Sequence, residues 1–328
     1  MLGLAFQDRP RIRAGKMASA LKSRGWEFDV LGLEYPAVYE QAYRTITADP
    51  FLTAASMAEF ASAHPAELLL VHNEPNWPVA FWREAAGGRP LVLDVADLQS
   101  QRPAGFIDPY EAQAFELADA YVFVTDDQRR WALELGLTGA DKPWALLSNL
   151  VLADQLIDST PLPHLGGLVY QGGVDPRGAR GGWRDLSGLA DALAGQLHLY
   201  GDPVDYGISH GTEPEYALLI QRLARHDWGF VGSPVESVAW SKTLPNKIYE
   251  YFAAGIPVVV LNAQLCRPFC DEGMGVYCES PGQVADTVRT VDPAPFRRAV
   301  LEKRDAYTME HHVAPLAEMF GALLEARS

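Results

Sequence analysis

Lys247 and Glu250 stand one helical turn apart in the stretch SKTLPNKIYEYFAAGIPVVVL, residues 241–261, just ahead of an apolar run. Positions 247, 250, 251 and 254 follow the i, i+3, i+4, i+7 spacing of a single helix face. A carboxylate on such a face can accept two hydroxyl hydrogen bonds, as a ribose offers. An ammonium beside it can meet phosphate. The plainer alternative is an exposed ion pair contributing roughly 0.3 kcal/mol.

A second group of chemically capable residues lies in YQGGVDPRGARGGWR, residues 170–184. A glycine pair after a strand, Gly172 and Gly173, lets the backbone approach a phosphate, and a following helix would aim its positive end the same way. Arg177, Arg180 and Arg184 add charge, and guanidinium matches phosphate oxygens two at a time. Arg180 is favoured over Arg177. A flexible glycine-rich surface turn is the competing reading. No G-x4-G-K-[ST] phosphate loop occurs anywhere.

Acid and base groups fall at the ends of two other apolar runs. LVLDVADLQS, residues 91–100, carries Asp94 and Asp97. Asp97 is the expected general base toward an acceptor hydroxyl, which would invert the attacked carbon; Asp94 reads as a loop or cap residue. LLLVHNEPNWP carries His72 and Glu74. His72 is a second base or acceptor-binding candidate, against the common case of a histidine satisfied by backbone. Near the N-terminus Arg9, Arg11, Arg13, Lys16, Lys22 and Arg24 face only Asp8 before Glu27. They suit an acidic acceptor, an anionic membrane surface or simply solvent.

These residues need elements to hold them. Short apolar runs alternate with amphipathic stretches throughout, which predicts α/β structure with parallel, doubly wound sheets. Parallel strands are covered on both faces, so their runs are unbroken. The pattern occupies residues 1–152, lapses over a proline-containing linker at 153–166, and restarts over 167–305. A final helical stretch, 306–328, is expected to pack back on the first half. Ligands of open α/β sheets bind outside the carboxyl ends of the strands, so two such halves offer a cleft between them.

Composition narrows the function. The chain has 328 residues, 48% hydrophobic and 21% charged, with a formal net charge of −15. That balance opposes sequence-independent nucleic-acid binding, which needs a broad basic face. Cys266, Cys270 and Cys278 are an odd number of thiols, read as reduced, and they lack the spacing of a structural zinc site. No apolar run approaches the ~20 residues needed to span a bilayer. The expected location is cytoplasmic, with peripheral contact at the inner face of a membrane open to the basic N-terminal segment.

The seventeen residues LPNKIYEYFAAGIPVVV resemble the donor-site signature of GT-B glycosyltransferases, particularly the large retaining group with an E-x7-E motif (family 4-like, group 1). The resemblance implies a GT-B fold of two Rossmann-like domains facing an interdomain cleft. It implies a metal-independent, hexosyltransferase-like activity with no cofactor. A UDP- or GDP-sugar would be the donor, and a saccharide, lipid-linked or other hydroxyl the acceptor, in polysaccharide or glycoconjugate assembly. Glu250 would hold the ribose, and Asn246 and Lys247 the diphosphate side of the same stretch. A basic pair after Gly172 and Gly173 would bind the diphosphate, and Gly201, in YGDP, would turn near the nucleotide. Two positions depart from the pattern: Lys242 replaces the first glutamate, and Ala96 stands where a histidine is common. A non-catalytic relative that binds a nucleotide sugar or a partner protein, and a GT-B nucleotide-sugar epimerase, are the alternatives.

Overall fold

A computed structural model of the chain describes all residues except 7–12, 33–43, 48–53, 74–75, 99, 101–108, 140, 180–181, 214, 236–243 and 328. It divides into two compact units, one of Met1–Leu152 with Met309–Ser328, the other of Ala153–Thr308.

The first unit runs β1 (Leu2–Phe6), α1 (Ala14–Lys22), β2 (Glu27–Gly32), β3 (Arg44–Thr47), α2 (Ala54–Ala63), β4 (Leu68–His72), α3 (Val79–Ala86), β5 (Leu91–Val95), α4 (Pro109–Leu117), β6 (Ala120–Phe123), α5 (Asp126–Glu134) and β7 (Trp144–Leu146). Its sheet has the order β3-β2-β1-β4-β5-β6-β7, with all pairings parallel. Every residue of β4 and β5 is buried, which is why LLLVH and LVLDV read as continuous apolar runs. The helices stop and start where local chemistry dictates. Gly87 takes the left-handed conformation at the end of α3, and the Thr125 side chain caps α5 by accepting the Gln128 N–H at 3.1 Å.

The second unit runs β8 (Leu168–Gln171), α6 (Ser187–Leu193), β9 (Leu197–Tyr200), β10 (Ile208–Ser209), α7 (Tyr216–Leu223), β11 (Trp228–Gly232), α8 (Lys247–Ala253), β12 (Val258–Leu261), α9 (Arg267–Asp271), β13 (Gly275–Cys278), α10 (Pro281–Thr290) and α11 (Ala294–Lys303). Its sheet order is β10-β9-β8-β11-β12-β13, again entirely parallel. At Met309 the chain rejoins the first unit. The Met309 N–H donates to the Val151 carbonyl at 2.8 Å, and α12 (Met309–His312) and α13 (Ala314–Glu325) follow. Phe320 on α13 meets Trp26 edge-on at 5.3 Å, so the last helix fills an aromatic corner beside β2.

Both sheets reverse their winding direction once, between β1 and β4 in the first and between β8 and β11 in the second. Such switch points leave a crevice at the carboxyl edge of the strands. The short strands β3 and β10 have no counterpart in the sequence reading. Each lies at a sheet edge and has only two to four residues, too few to show a period.

Candidate functional site

In the second unit the predicted residues gather at the switch point. β8 ends at Gln171 and is followed by Gly172 and Gly173. The Gly172 N–H donates to the Tyr200 carbonyl at 2.9 Å, and a Cβ on Gly201 would overlap the Gly172 carbonyl oxygen. Gly172 has φ of +117°, so two glycines are needed for the chains leaving β8 and β9 to touch here. The stripe of α8 lies against this turn. The Tyr251 hydroxyl accepts the Gln171 N–H and donates to the Val169 carbonyl, both at 3.2 Å, which pins the helix to β8. Glu250 is therefore buried, only 7% exposed, and accepts a hydrogen bond from Gln171 Nε2. The exposed-ion-pair reading of Glu250 does not survive that burial. Lys247 Nζ sits 3.8 Å from the centre of the Tyr170 ring and 3.7 Å from where a Gly172 Cβ would be. Asn246 is the residue preceding α8 and makes no side-chain cap.

The cations of the glycine-rich loop divide differently from the sequence expectation. Arg177 turns away: it pairs with Asp191 of α6 at 2.7 Å, in an exposed position, and packs on Tyr206. Arg180 lies outside the described residues. Arg184 comes back to the glycines, with Nη1 3.0 Å from a Cβ built on Gly173 and the guanidinium 5.2 Å from the Trp183 ring. Lys247 and Arg184 thus flank consecutive glycines. Helix α6 begins only at Ser187 and is seven residues long, so the glycine pair is not at its amino end as the sequence suggested.

The first unit holds a buried polar network at the carboxyl edge of β4 and β5. His72 and Asp94 are register partners at the strand ends. His72 Nδ1 lies 2.8 Å from Asp94 Oδ2. Arg13 grips the same carboxylate through Nε, 2.7 and 2.8 Å from its two oxygens. Its Nη1 donates to the Leu147 carbonyl at 2.7 Å and to Asn149 Oδ1 at 2.8 Å. Burial raises the Asp94 carboxyl, but the Arg13 charge and the His72 and Arg13 hydrogen bonds outweigh it and leave the group below its ordinary value. With Nδ1 engaged by Asp94, Nε2 is the ring nitrogen left to act on a ligand.

This network corrects two expectations. Asp94 is a strand residue and 1% exposed, not a loop cap. Arg13 and Lys16 are each 1% exposed, so they form no solvated basic face; Lys22 and Arg24 are exposed, while Arg9, Arg11 and Glu74 lie outside the described residues. Asp97 is exposed on the loop after β5, where its carbonyl accepts from Asn73 Nδ2 at 2.5 Å. Asn73 Oδ1 also takes the Ala96 N–H at 2.9 Å, which ties the loops after β4 and β5 together.

All three cysteines are free thiols. Burial pushes the Cys270 thiol up to about 12 and Cys266 higher still, which disfavours the thiolate at both. Among the described residues no group of three or more His, Cys, Asp or Glu is placed to hold a metal ion, and no helix is long and apolar enough to cross a membrane.

No protein-family model matches this chain, and no curated protein matches it in sequence. Solved structures do. Sucrose-phosphate synthase from Thermosynechococcus elongatus superimposes with a TM-score of 0.72 at 14% identity, over 99% of this chain and 98% of that one. Anabaena HepE in complex with UDP-glucose gives 0.70 at 14% identity, over 99% and 100%. WaaG, a glycosyltransferase involved in lipopolysaccharide biosynthesis, gives 0.64 at 14% identity, over 97% and 98%. The chain has the GT-B fold. Within GT-B, the unit carrying Gly172, Gly173, Arg184, Lys247 and Glu250 and the unit carrying Arg13, His72 and Asp94 each present their polar residues at the switch point of a parallel sheet.

Proposed function

We propose that this chain is a glycosyltransferase that takes a sugar from a nucleoside-diphosphate sugar and passes it to an acceptor hydroxyl. The observation that carries the reading is the convergence of Lys247 and Arg184 on the Gly172–Gly173 turn, with buried Glu250 alongside. Solved complexes of HepE with UDP and UDP-glucose support a uridine nucleotide as donor. Glu250 accepts the ribose hydroxyls through its carboxylate oxygens. Lys247, Arg184 and the backbone of the glycine turn meet the diphosphate and take up the charge that grows on it as it leaves.

The acceptor side belongs to the first unit. His72 Nε2 removes the hydroxyl proton as the acceptor oxygen bonds to the anomeric carbon and the bond from that carbon to the phosphate oxygen breaks. Asp94, held by Arg13, keeps the ring and its tautomer in place. Direct attack of this kind inverts the anomeric carbon, in contrast to the retaining group that residues 244–260 resemble. Lys242, in place of that group's first glutamate, is consistent with the difference. A saccharide or lipid-linked acceptor is the extension of this reading.

Thermal unfolding with UDP, GDP, ADP and their glucose conjugates tests the donor site. A ligand at about 100 times its Kd stabilises by roughly 2.7 kcal/mol. The expected result is stabilisation by a uridine nucleotide in the wild type and none in Glu250→Ala. Absence of any nucleotide-dependent shift would refute the proposal.

A further inference from the structure

Ser233 immediately follows β11 at the carboxyl edge of the second sheet, and it is fully buried. All of its polar groups are engaged. The backbone N–H donates to the Leu261 carbonyl at 3.1 Å. The hydroxyl accepts the Val235 N–H at 3.0 Å and donates to the Trp183 carbonyl at 2.5 Å. Its own carbonyl accepts from Asn262 Nδ2 at 2.9 Å, and Asn262 holds a left-handed φ of +59° to deliver that bond.

The bond to Trp183 has a specific consequence. The Trp183 carbonyl and the Arg184 N–H are the two polar ends of one peptide unit. Ser233 holds the first, and Asp175 Oδ2 accepts the second at 3.0 Å. The Arg184 carbonyl in turn accepts the Asp175 N–H at 3.0 Å. An exposed arginine outside any helix or strand therefore has its backbone clamped on both sides. Its guanidinium, beside Gly173, has no carboxylate partner among the described residues. Fixing the backbone in advance removes part of the ordering cost of gripping an anion.

We infer that Ser233 is a positioning residue for the phosphate-binding cation: it sets affinity for the diphosphate group through Arg184 without touching the ligand. The inference rests on the nucleotide-sugar reading of this site. It separates from that reading because it concerns the diphosphate alone and not the nucleoside.

The test is calorimetric binding of UDP and of uridine to the full chain, with GDP and guanosine in parallel. The variants are Ser233→Ala, Ser233→Thr, Asp175→Ala, Asp175→Asn and Arg184→Gln. Loss of one neutral hydrogen bond predicts about a fivefold weaker UDP complex in Ser233→Ala, with uridine affinity unchanged. Ser233→Thr, which keeps the hydroxyl, retains UDP affinity. In an Arg184→Gln background Ser233→Ala has no further effect, because the group it positions is gone. Should Ser233→Ala fail to fold, Asp175→Ala releases the other end of the same peptide, and Asp175→Asn, with its acceptor oxygen kept, restores binding. Equal UDP affinity in wild type and Ser233→Ala, or an undiminished effect without Arg184, overturns the inference. Wild-type protein that binds neither diphosphate overturns the donor reading and the inference with it.

Discussion

Lowering the pH from 6 to 5 should destabilise the second unit through three imidazoles packed against one another on and beside β9. His198 and His210 lie ring on ring at 5.3 Å, and His198 and His226 are 4.5 Å apart between centroids. His198 Nδ1 is 3.0 Å from His210 Nε2, and His226 Nδ1 is 2.9 Å from the Gly166 carbonyl. Burial lowers His198 to about 4, helped by the neighbouring His210 and Arg225. Burial lowers His226 to about 3, against the Gly166 hydrogen bond and with the other imidazoles and Arg225 assisting. Arg222, Glu213 and Tyr200 are the remaining charged or titratable neighbours. Above pH ~7.5 both histidines are neutral in the folded and unfolded chain, and their contribution is fully present. As pH falls through ~6.5 the unfolded chain takes protons that the folded one refuses until about pH 4 to 3. Stability is lost across that window.

Between pH 6 and 5 an unfolded histidine is mostly protonated and these two folded ones are not. The loss is about 1.2 kcal/mol for each, or about 2.4 kcal/mol for the pair. For a unit of about 150 residues that corresponds to a fall of about 5–10 °C in Tm. Hydrogen exchange read by mass spectrometry on peptides from β9 and β11 follows this unit by itself. Wild type and a His198→Gln/His226→Gln double variant would be compared at pH 7.5, 6 and 5. The variant should be less stable at pH 7.5 but shed the pH slope. Equal slopes in the two proteins would show that these imidazoles are not held neutral, and the reasoning would fail.

Two further outcomes follow from the site geometry. Arg13→Ala leaves the buried Asp94 charge without its cation and should cost about 3–5 kcal/mol, measured by denaturant unfolding; a loss under 1 kcal/mol would mean that Asp94 is not held ionised by Arg13. Gly201→Ala places a methyl on the Gly172 carbonyl oxygen and should cost about 1–3 kcal/mol while abolishing UDP-dependent stabilisation; full nucleotide response in a folded variant would count against the glycine turn as the phosphate cradle.

The strands were legible because burial on both faces writes an unbroken apolar run into the sequence, as in VVVL of β12 and LLLVH of β4. The Lys247–Glu250 stripe was legible because three- and four-residue spacing is local to one helix. Arg184 could be found as a cation but not chosen over Arg177 or Arg180. Its backbone is held where the preceding Trp183 carbonyl accepts from Ser233, fifty residues on, and no local spacing encodes that contact. Arg13 was misread as surface charge for the same reason, since its partner Asp94 is 81 residues distant.

The amino-acid sequence by itself determined the parallel α/β architecture, the Lys247–Glu250 helix and the glycines that let two chains meet, because each depends on neighbours within a few residues. Tertiary structure decided which ionisable groups share a site. Burying Asp94 is tolerable only when winding β1, β4, β5 and β7 into one sheet brings Arg13 and His72 onto the same carboxylate, with Asn149 accepting from the Arg13 guanidinium. That coincidence is a property of strand order and register. A linear pattern of hydrophobic and charged residues carries neither.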